Sequence, residues 1–402
     1  MYRPGKSNSG TLPLFAHEPI RRGKDAPPAQ NMKHSVREPL SDGVSRCALG
    51  HLIALSLVLL ALSTSPARGQ TSTSETPLPV LMGGKWGYIN RTGEVVIPAR
   101  FDHAERFSEG LAVFSRGKKQ GYVDEHGKIV AEPQFQSTLE FNEGVAAVQL
   151  NGKWGFLDRT GQFVIIPKYE DADSMHQGLA PAAVGVEGKS LKFGYVDRTG
   201  KFILEPRFVY AGEFAEGMGL VVLEGSYGLP EKGLRLVVGK RGFIDGSGNV
   251  VVQPQYDDAS SFSEGLACVE IADKWGYIDK TGRVVITVQF DQARPFSEGR
   301  AAVSEGKFPN EKWGFIDKAG AWIIKPQFDG AESFSEGLAA VSVGREWGYL
   351  NGTGVMVVKA QFANAQPFKA GVALVMVGGP EPETTKFAYL DRNGQWVWKP
   401  TN

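Results

Sequence analysis

Residues 274–286 read KWGYIDKTGRVVI, and residues 312–324 read KWGFIDKAGAWII. The phrase has two halves. WGYID is short and aromatic, RVVI is β-branched, and DKTG between them has the composition of a tight turn. Its Asp can cap backbone N–H groups, and its Gly can take a positive φ. A third apolar stretch, LACVEI (266–271), precedes the phrase, so the chain reads locally as three antiparallel strands joined by short hairpins.

The phrase recurs along the chain. Its glycine falls at Gly87, Gly121, Gly155, Gly194, Gly242, Gly276, Gly314 and Gly348, with Ala388 in the ninth place. Repeats of this period signal a tandem array. A second glycine, in SEGLA, falls at Gly110, Gly144, Gly178, Gly217, Gly265, Gly299, Gly337 and Gly371, always 23 residues after the first. All length variation lies between the second glycine and the next first one, so one interval is a rigid body and the other holds a loop.

The expected architecture is all-β: about nine three-stranded antiparallel units stacked face to face over residues 78–400. The first unit starts where Leu78 aligns with Leu111. Apolar residues on both faces of each strand predict sheets sandwiched between neighbours, with the Gly beside Trp admitting the next unit. Neither end is a fragment that would complete the other, so an open superhelix is favoured over a propeller-like ring.

Composition narrows the function. Hydrophobic residues make up 42% and charged residues 22% of the 402, a globular balance. From Gln70 onward there are 35 basic against 40 acidic residues and no basic block, which argues against nucleic acid as partner. Residues 1–46 read as a disordered extension or one from a mis-assigned start. The run 47–69, apolar from Ala48 to Leu62 after Arg46, reads as a signal peptide, and 70–77 as a linker. Export to the periplasm, cell surface or medium follows. The alternative is an uncleaved anchor in the inner membrane; with cleavage there is no stable membrane insertion.

Candidate chemistry is sparse. Cys47 would leave with the signal, and Cys268 reads as a small buried hydrophobe. The turn aspartates Asp124, Asp158, Asp197, Asp245, Asp279 and Asp317 suit capping better than calcium, which needs six to eight oxygens. The Glu of SEG could line an acidic stripe or serve its own turn. No catalytic, cofactor or metal site is expected. The repeated pairs Trp86–Gly87, Trp154–Gly155, Trp275–Gly276, Trp313–Gly314 and Trp347–Gly348 read as structural, with an indole ladder for sugars as the alternative. Ligand contact is expected in the inserted loops, at Tyr227, Leu229, Lys232 and Phe308.

These phrases resemble the WG (or KWG) repeats of bacterial proteins, whose signature is similar to KWGYIDKTGRVVI…QFD.A..FSEGLAAV. The resemblance covers roughly 78–400 and recurs eight or nine times. Gln120, Phe193, Arg241 and Phe387 replace the Trp, and FKAG (368–371) replaces FSEG. The resemblance implies a β-repeat module without a shared catalytic set, often exported. A non-enzymatic scaffold binding protein is therefore expected, with a glycan- or cell-wall-binding module as the alternative and an enzyme built on the loops behind both.

Overall fold

The computed structural model describes residues 76–399, apart from 187–188, 229–235, 308 and 379–385. The N-terminal extension and the signal segment expected above lie outside the described residues.

Among the described residues, nine sheets of three or four strands follow one another along the chain. The first has three strands, β1 (Leu78–Met82), β2 (Lys85–Ile89) and β3 (Val95–Phe101), in that order. The other eight have four strands, correcting the expected three: a short strand such as Asp258–Ala259 pairs beside Leu266–Ile271, which pairs with Lys274–Asp279, then Val284–Phe290. The short strand comes from the connection QFDxA, whose lack of alternation hides it. Strand register also shifts the first unit by one residue. Leu78 opposes Ile89 as Ala112 opposes Val123, so Leu78 matches Ala112 rather than Leu111.

Within the first eight sheets the last strand carries a bulge. Trp275 opposes Phe290 and Tyr277 opposes Ile286, so three residues face Gly276 alone. A Cβ on Gly276 would lie 2.6 Å from the Ile286 oxygen and 2.7 Å from the Val288 nitrogen. The glycine therefore admits its own sheet's bulge, not the neighbouring unit. In the ninth sheet the last strand ends at Trp398, before the bulge position, and Ala388 is accommodated there.

The cores lie between sheets. One cluster joins Cys268, Tyr277 and Ile286 of the sixth sheet to Phe296, Ala301 and Val303 of the seventh. Every consecutive pair shares such a cluster, and a ninth joins Leu78, Val80 and Ile89 of the first sheet to Val372 and Tyr389 of the last. Nine sheets with nine junctions form a closed ring, where an open stack would have eight. The molecule is a nine-bladed propeller, correcting the preference for an open superhelix. Closure uses side chains instead of a split blade: the Tyr389 hydroxyl donates to the Pro79 carbonyl at 3.0 Å, and the Trp86 and Phe387 rings lie 5.6 Å apart.

Blade faces are not dry to the edge. Val284 and Val285 on the last strand of the sixth sheet are 48% and 38% exposed, and the equivalent residues of other blades behave alike. This strand lies at the edge of each sheet.

Candidate functional site: blade junctions and loop face

The repeated indoles are packed but do not dominate the core. Trp154 is buried, while Trp86, Trp275, Trp313 and Trp347 pack partly buried against clusters. The residue two places on carries the burial: Tyr88, Tyr122, Phe156, Tyr195, Phe243, Tyr277, Phe315, Tyr349 and Tyr389 are all at most 1% exposed. This ring meets the Phe of the next blade's FSEG, as in Tyr277–Phe296 at 4.9 Å and Tyr349–Phe368 at 4.8 Å. The hydroxyl donates to a carbonyl 17 residues on, from Tyr277 to Arg294 at 2.8 Å and from Tyr349 to Gln366 at 2.8 Å. A buried hydroxyl needs such an acceptor. The signal was legible, because this position is aromatic in all nine units and the Trp position is not.

The other repeated polar residues are also consumed at junctions. In SEG, Glu and Gly both take positive φ, 53° and 87° at Glu264 and Gly265, forming a tight turn closed by Ser263 and Leu266. The Ser263 hydroxyl donates to the Phe296 carbonyl at 2.7 Å, and Glu264 accepts from the Gly299 N–H at 3.0 Å, both in the next blade. Ser297 with Glu298 and Ser335 with Glu336 repeat this. The second residue of the next blade's turn joins in, as Lys318 pairs with Glu264 at 3.1 Å and Arg392 with Glu336 at 2.7 Å. The glutamates thus link blades and do not form a free acidic stripe. The Asp of QFD does the same at the other end of the strands: Asp291 accepts from Lys274 of the preceding blade at 2.7 Å and from the Gly306 N–H of its own blade's hairpin at 2.9 Å.

The turn aspartates cap. Asp279 accepts from the Thr281 hydroxyl and the Thr281 and Arg283 N–H groups, and these bonds, the Thr281 hydroxyl first, hold its carboxyl down at about 2. Asp124, Asp158, Asp197, Asp245 and Asp317 make the same backbone bonds. Among the described residues no group of three His, Cys, Asp or Glu could hold a metal. Burial pushes the Cys268 thiol up to about 11.

Of the expected loop contacts, Tyr227 is buried. It belongs to a two-stranded hairpin, Ser226–Gly228 with Leu236–Val238, that folds back onto the ring. Its ring meets Phe193 at 4.9 Å edge-on and stacks on Tyr210 at 6.4 Å, and its hydroxyl donates to buried Asp171. Leu229, Lys232 and Phe308 lie outside the described residues. The inserted hairpins open at the Lys274 end of the strands, opposite the DKTG turns, as the pairing Ile271 with Lys274 and Leu266 with Asp279 requires.

Several junctions depart from the pattern, and Asn142 and Ala215 also stand in the serine place. At the fourth, His176 replaces the SEG serine and pairs with Glu213 of the fifth blade at 3.1 Å. Burial alone would lower the His176 pKa, but the Glu213 bond and charge, with Asp173 and Glu143, raise it on balance. At the ninth, Lys369 and Ala370 replace Ser and Glu. There the Arg106 guanidinium of the second blade reaches across to lie 5.8 Å over the Tyr389 ring, where the other aromatics meet Phe or, at Phe156, Met175. Its Nη2 is buried without a hydrogen-bond partner.

A family model described as WG containing repeat matches eight times, at residues 86–119, 121–154, 154–185, 193–227, 242–275, 275–307, 313–345 and 347–379. A search of curated proteins finds no match. Among solved structures the chain is similar to Hsv2 of Kluyveromyces marxianus, at 10% identity and TM-score 0.38, covering 73% of this chain and 96% of that one. It is also similar to the tricorn protease, at 10% identity and TM-score 0.25, over 80% of this chain and 44% of that one. The extracellular domain of the putative hybrid two-component system BT3049 from B. thetaiotaomicron gives 9% identity and TM-score 0.27, over 79% and 56%. The chain thus spans about half the length of two of these three structures, and likenesses this distant carry no argument about function.

Proposed function

The chain belongs to the family of WG-containing repeat proteins, and on that premise we propose that it is a non-catalytic, exported scaffold whose ring presents hairpin loops of unequal length to a protein partner. One observation carries this reading. The polar residues common to the units are spent on capping turns and bridging blades, so what distinguishes one blade from another is concentrated in the hairpins at the Lys274 end of the strands. Rigid scaffolds with variable loops on one face are the usual arrangement for recognition. The indoles pack against blade cores and leave the glycan alternative without an exposed ladder to rest on. Export rests on the apolar run after Arg46 and on the small residues following it.

Two measurements test the proposal. Mass spectrometry of the mature N-terminus should find a start within a few residues of Gln70; an intact Met1 or Met32 terminus would overturn cleavage. Partner capture from extracytoplasmic fractions should be lost when the 305–311 and 378–386 hairpins are shortened to the length of the 343–346 turn, with the circular dichroism spectrum unchanged. Capture indifferent to both deletions would overturn the loop-face reading.

A further inference from the structure

The junction of the second and third blades breaks the repeat at several places, all beside one hairpin. At five other junctions the lysine that opens the WG strand pairs with an acid 17 residues on, in the next blade: Lys85 with Asp102, Lys153 with Glu170, Lys240 with Asp257, Lys274 with Asp291 and Lys312 with Asp329. In the second blade that lysine is Lys119, and Gln136 stands in the acid's place. Gln136 keeps the other duty of the position, accepting the Gly152 N–H of its own blade's hairpin at 2.9 Å, and drops only the charge. Val209 stands opposite Lys192 too, but that hairpin also holds Glu187. The Trp place of the second blade holds Gln120, whose amide oxygen accepts from the Thr138 hydroxyl at 3.2 Å, so an amide stands where other blades carry an indole.

The hairpin itself, between strands Leu111–Arg116 and Lys119–Asp124, carries Arg116, Lys118 and Lys119, all exposed. Hairpins of the same length at 82–85, 150–153, 271–274 and 343–346 carry one basic residue each. Arg116 and Lys119 are cross-strand partners, and the Arg116 guanidinium lies 5.6 Å over the Phe114 ring. The nearby acid Asp102 is already spent: one oxygen accepts from Lys85 and the other from the Gly117 N–H at 2.6 Å. Among the described residues Arg116, Lys118 and Lys119 form no ion pair.

We propose that this hairpin and the junction beside it form a docking site for an acidic segment of a protein partner, its carboxylates received by Arg116, Lys118 and Lys119 and by the Gln120 amide. The proposal rests on the scaffold reading and adds to it a site outside the long insertions and the charge of the partner. Fixed positive charge on a rigid hairpin steers an anionic partner and sets its register, and a guanidinium receives a carboxylate through two parallel bonds. Patch size selects protein among anions. Lipid surfaces are recognised by about four to eight clustered Lys or Arg, and proteins that hold nucleic acid make about six to ten phosphate contacts. The uncompensated cations at this hairpin are fewer and lie between the ion-paired acids Asp102 and Glu170, which suits the few carboxylates of a short acidic stretch.

The test titrates the full chain into a fluorescein-labelled hexaglutamate peptide and follows anisotropy. Binding should saturate, weaken as salt rises, and be absent for a hexaglutamine peptide. Lys118→Glu with Lys119→Glu should weaken it about tenfold or more, while the same charge change at the exposed outer-strand residues Lys325 and Lys359 should leave it unchanged. Gln136→Glu copies Glu170 of the next junction and should give Lys119 its ion pair. It should weaken binding about threefold or more without altering any side chain assigned to the ligand or the Gly152 bond. No saturable binding, or equal affinity for wild type and the Lys118→Glu, Lys119→Glu chain, would overturn the site. Tighter binding to vesicles of equal parts phosphatidylserine and phosphatidylcholine, or to single-stranded DNA, than to the peptide would overturn the protein partner. Loop-dependent capture persisting alongside failed peptide binding would overturn this site alone and leave the scaffold reading standing.

Discussion

Replacing Gly276 by Ala should destabilise the ring, although alanine is the smallest possible addition. Its Cβ would sit 2.6 Å from the Ile286 oxygen, 2.7 Å from the Val288 nitrogen and 2.8 Å from the Val288 Cα, all inside the 3.0 Å that real Cβ contacts respect. These are backbone atoms of the bulge, so no rotamer change relieves the clash and the last strand, Val284–Phe290, has to move. Two effects work the other way. Reduced freedom in the unfolded chain favours Ala by about 0.4–1 kcal/mol where the site tolerates it. A buried methyl group adds about 0.8 kcal/mol. Overpacking costs about 1–3 kcal/mol and sometimes more, so the clash must lie at or above the top of that range to win. Backbone overlap at three atoms places it there, and a net loss of about 1–2 kcal/mol is expected. Gly246 is the control: it lies outside the positive-φ set, and its Cβ would meet nothing within 4 Å, so Gly246→Ala should be neutral or slightly stabilising. Urea denaturation followed by tryptophan fluorescence compares the midpoints. Equal midpoints for the two variants, or a more stable Gly276→Ala, would refute the close-approach reasoning.

Tyr277→Ala should cost about 3–5 kcal/mol as a truncation of a fully buried ring, and more than Trp275→Ala in the same urea experiment, because Trp275 is only partly buried. Tyr277→Phe should cost about 0.5–1.5 kcal/mol, the net value of its bond to Arg294. Tyr227→Ala should destabilise by about 3–5 kcal/mol, and deleting 224–239 should lower stability too, since the hairpin packs on Phe193 and Tyr210; a silent deletion would show that it is a passive loop. The His176–Glu213 pair makes one junction pH-sensitive. Because the folded-state pKa is raised, its stabilisation is fully present below the unfolded value near 6.5 and is lost as pH rises through the higher folded value. His176→Asn should flatten stability between about pH 6 and 8 relative to wild type; an unchanged profile would remove His176 from that role.

Much of this fold was legible in the chain. The 23 residues between the WG and SEG glycines never vary, and the structure supplies the reason. The Tyr277 hydroxyl bonds a carbonyl 17 residues on, and its ring meets Phe296, so every chain separation inside that interval is tied to a junction contact. The variable interval is a hairpin whose ends are already paired, so its length is free. Three features were hidden for physical reasons. The short strand has only two residues, too few for alternation to register. The partner of Gly276 could not be told from composition, since close approach by a neighbouring blade or by the same sheet's bulge both demand a missing Cβ. Closure depends on how far each blade rotates against the next, which has no linear signature, and here it is achieved through Tyr389 and Pro79, contacts between positions 310 residues apart. The replacements at Lys369, Ala370 and Ala388 marked the ninth unit as different. Only the ring shows that Gly371, next to the first two, lies against Arg91 of the first blade and that the third faces the end of a shortened strand.

The most direct test of the account is the distance between the first and ninth blades in solution. A Cβ on Gly93 of the first blade would lie 3.1 Å from the Val397 oxygen of the ninth. Spin labels at Glu94→Cys and Gln395→Cys, with Cys47 and Cys268 replaced, therefore report on closure. Stacked sheets lie about 10 Å apart, so eight successive steps in an open array would separate the labels by roughly 80 Å. Dipolar spectroscopy should give a single narrow distribution below about 25 Å, two label tethers added to a contact. A distribution beyond about 60 Å, or no resolvable dipolar coupling, would contradict the closed ring.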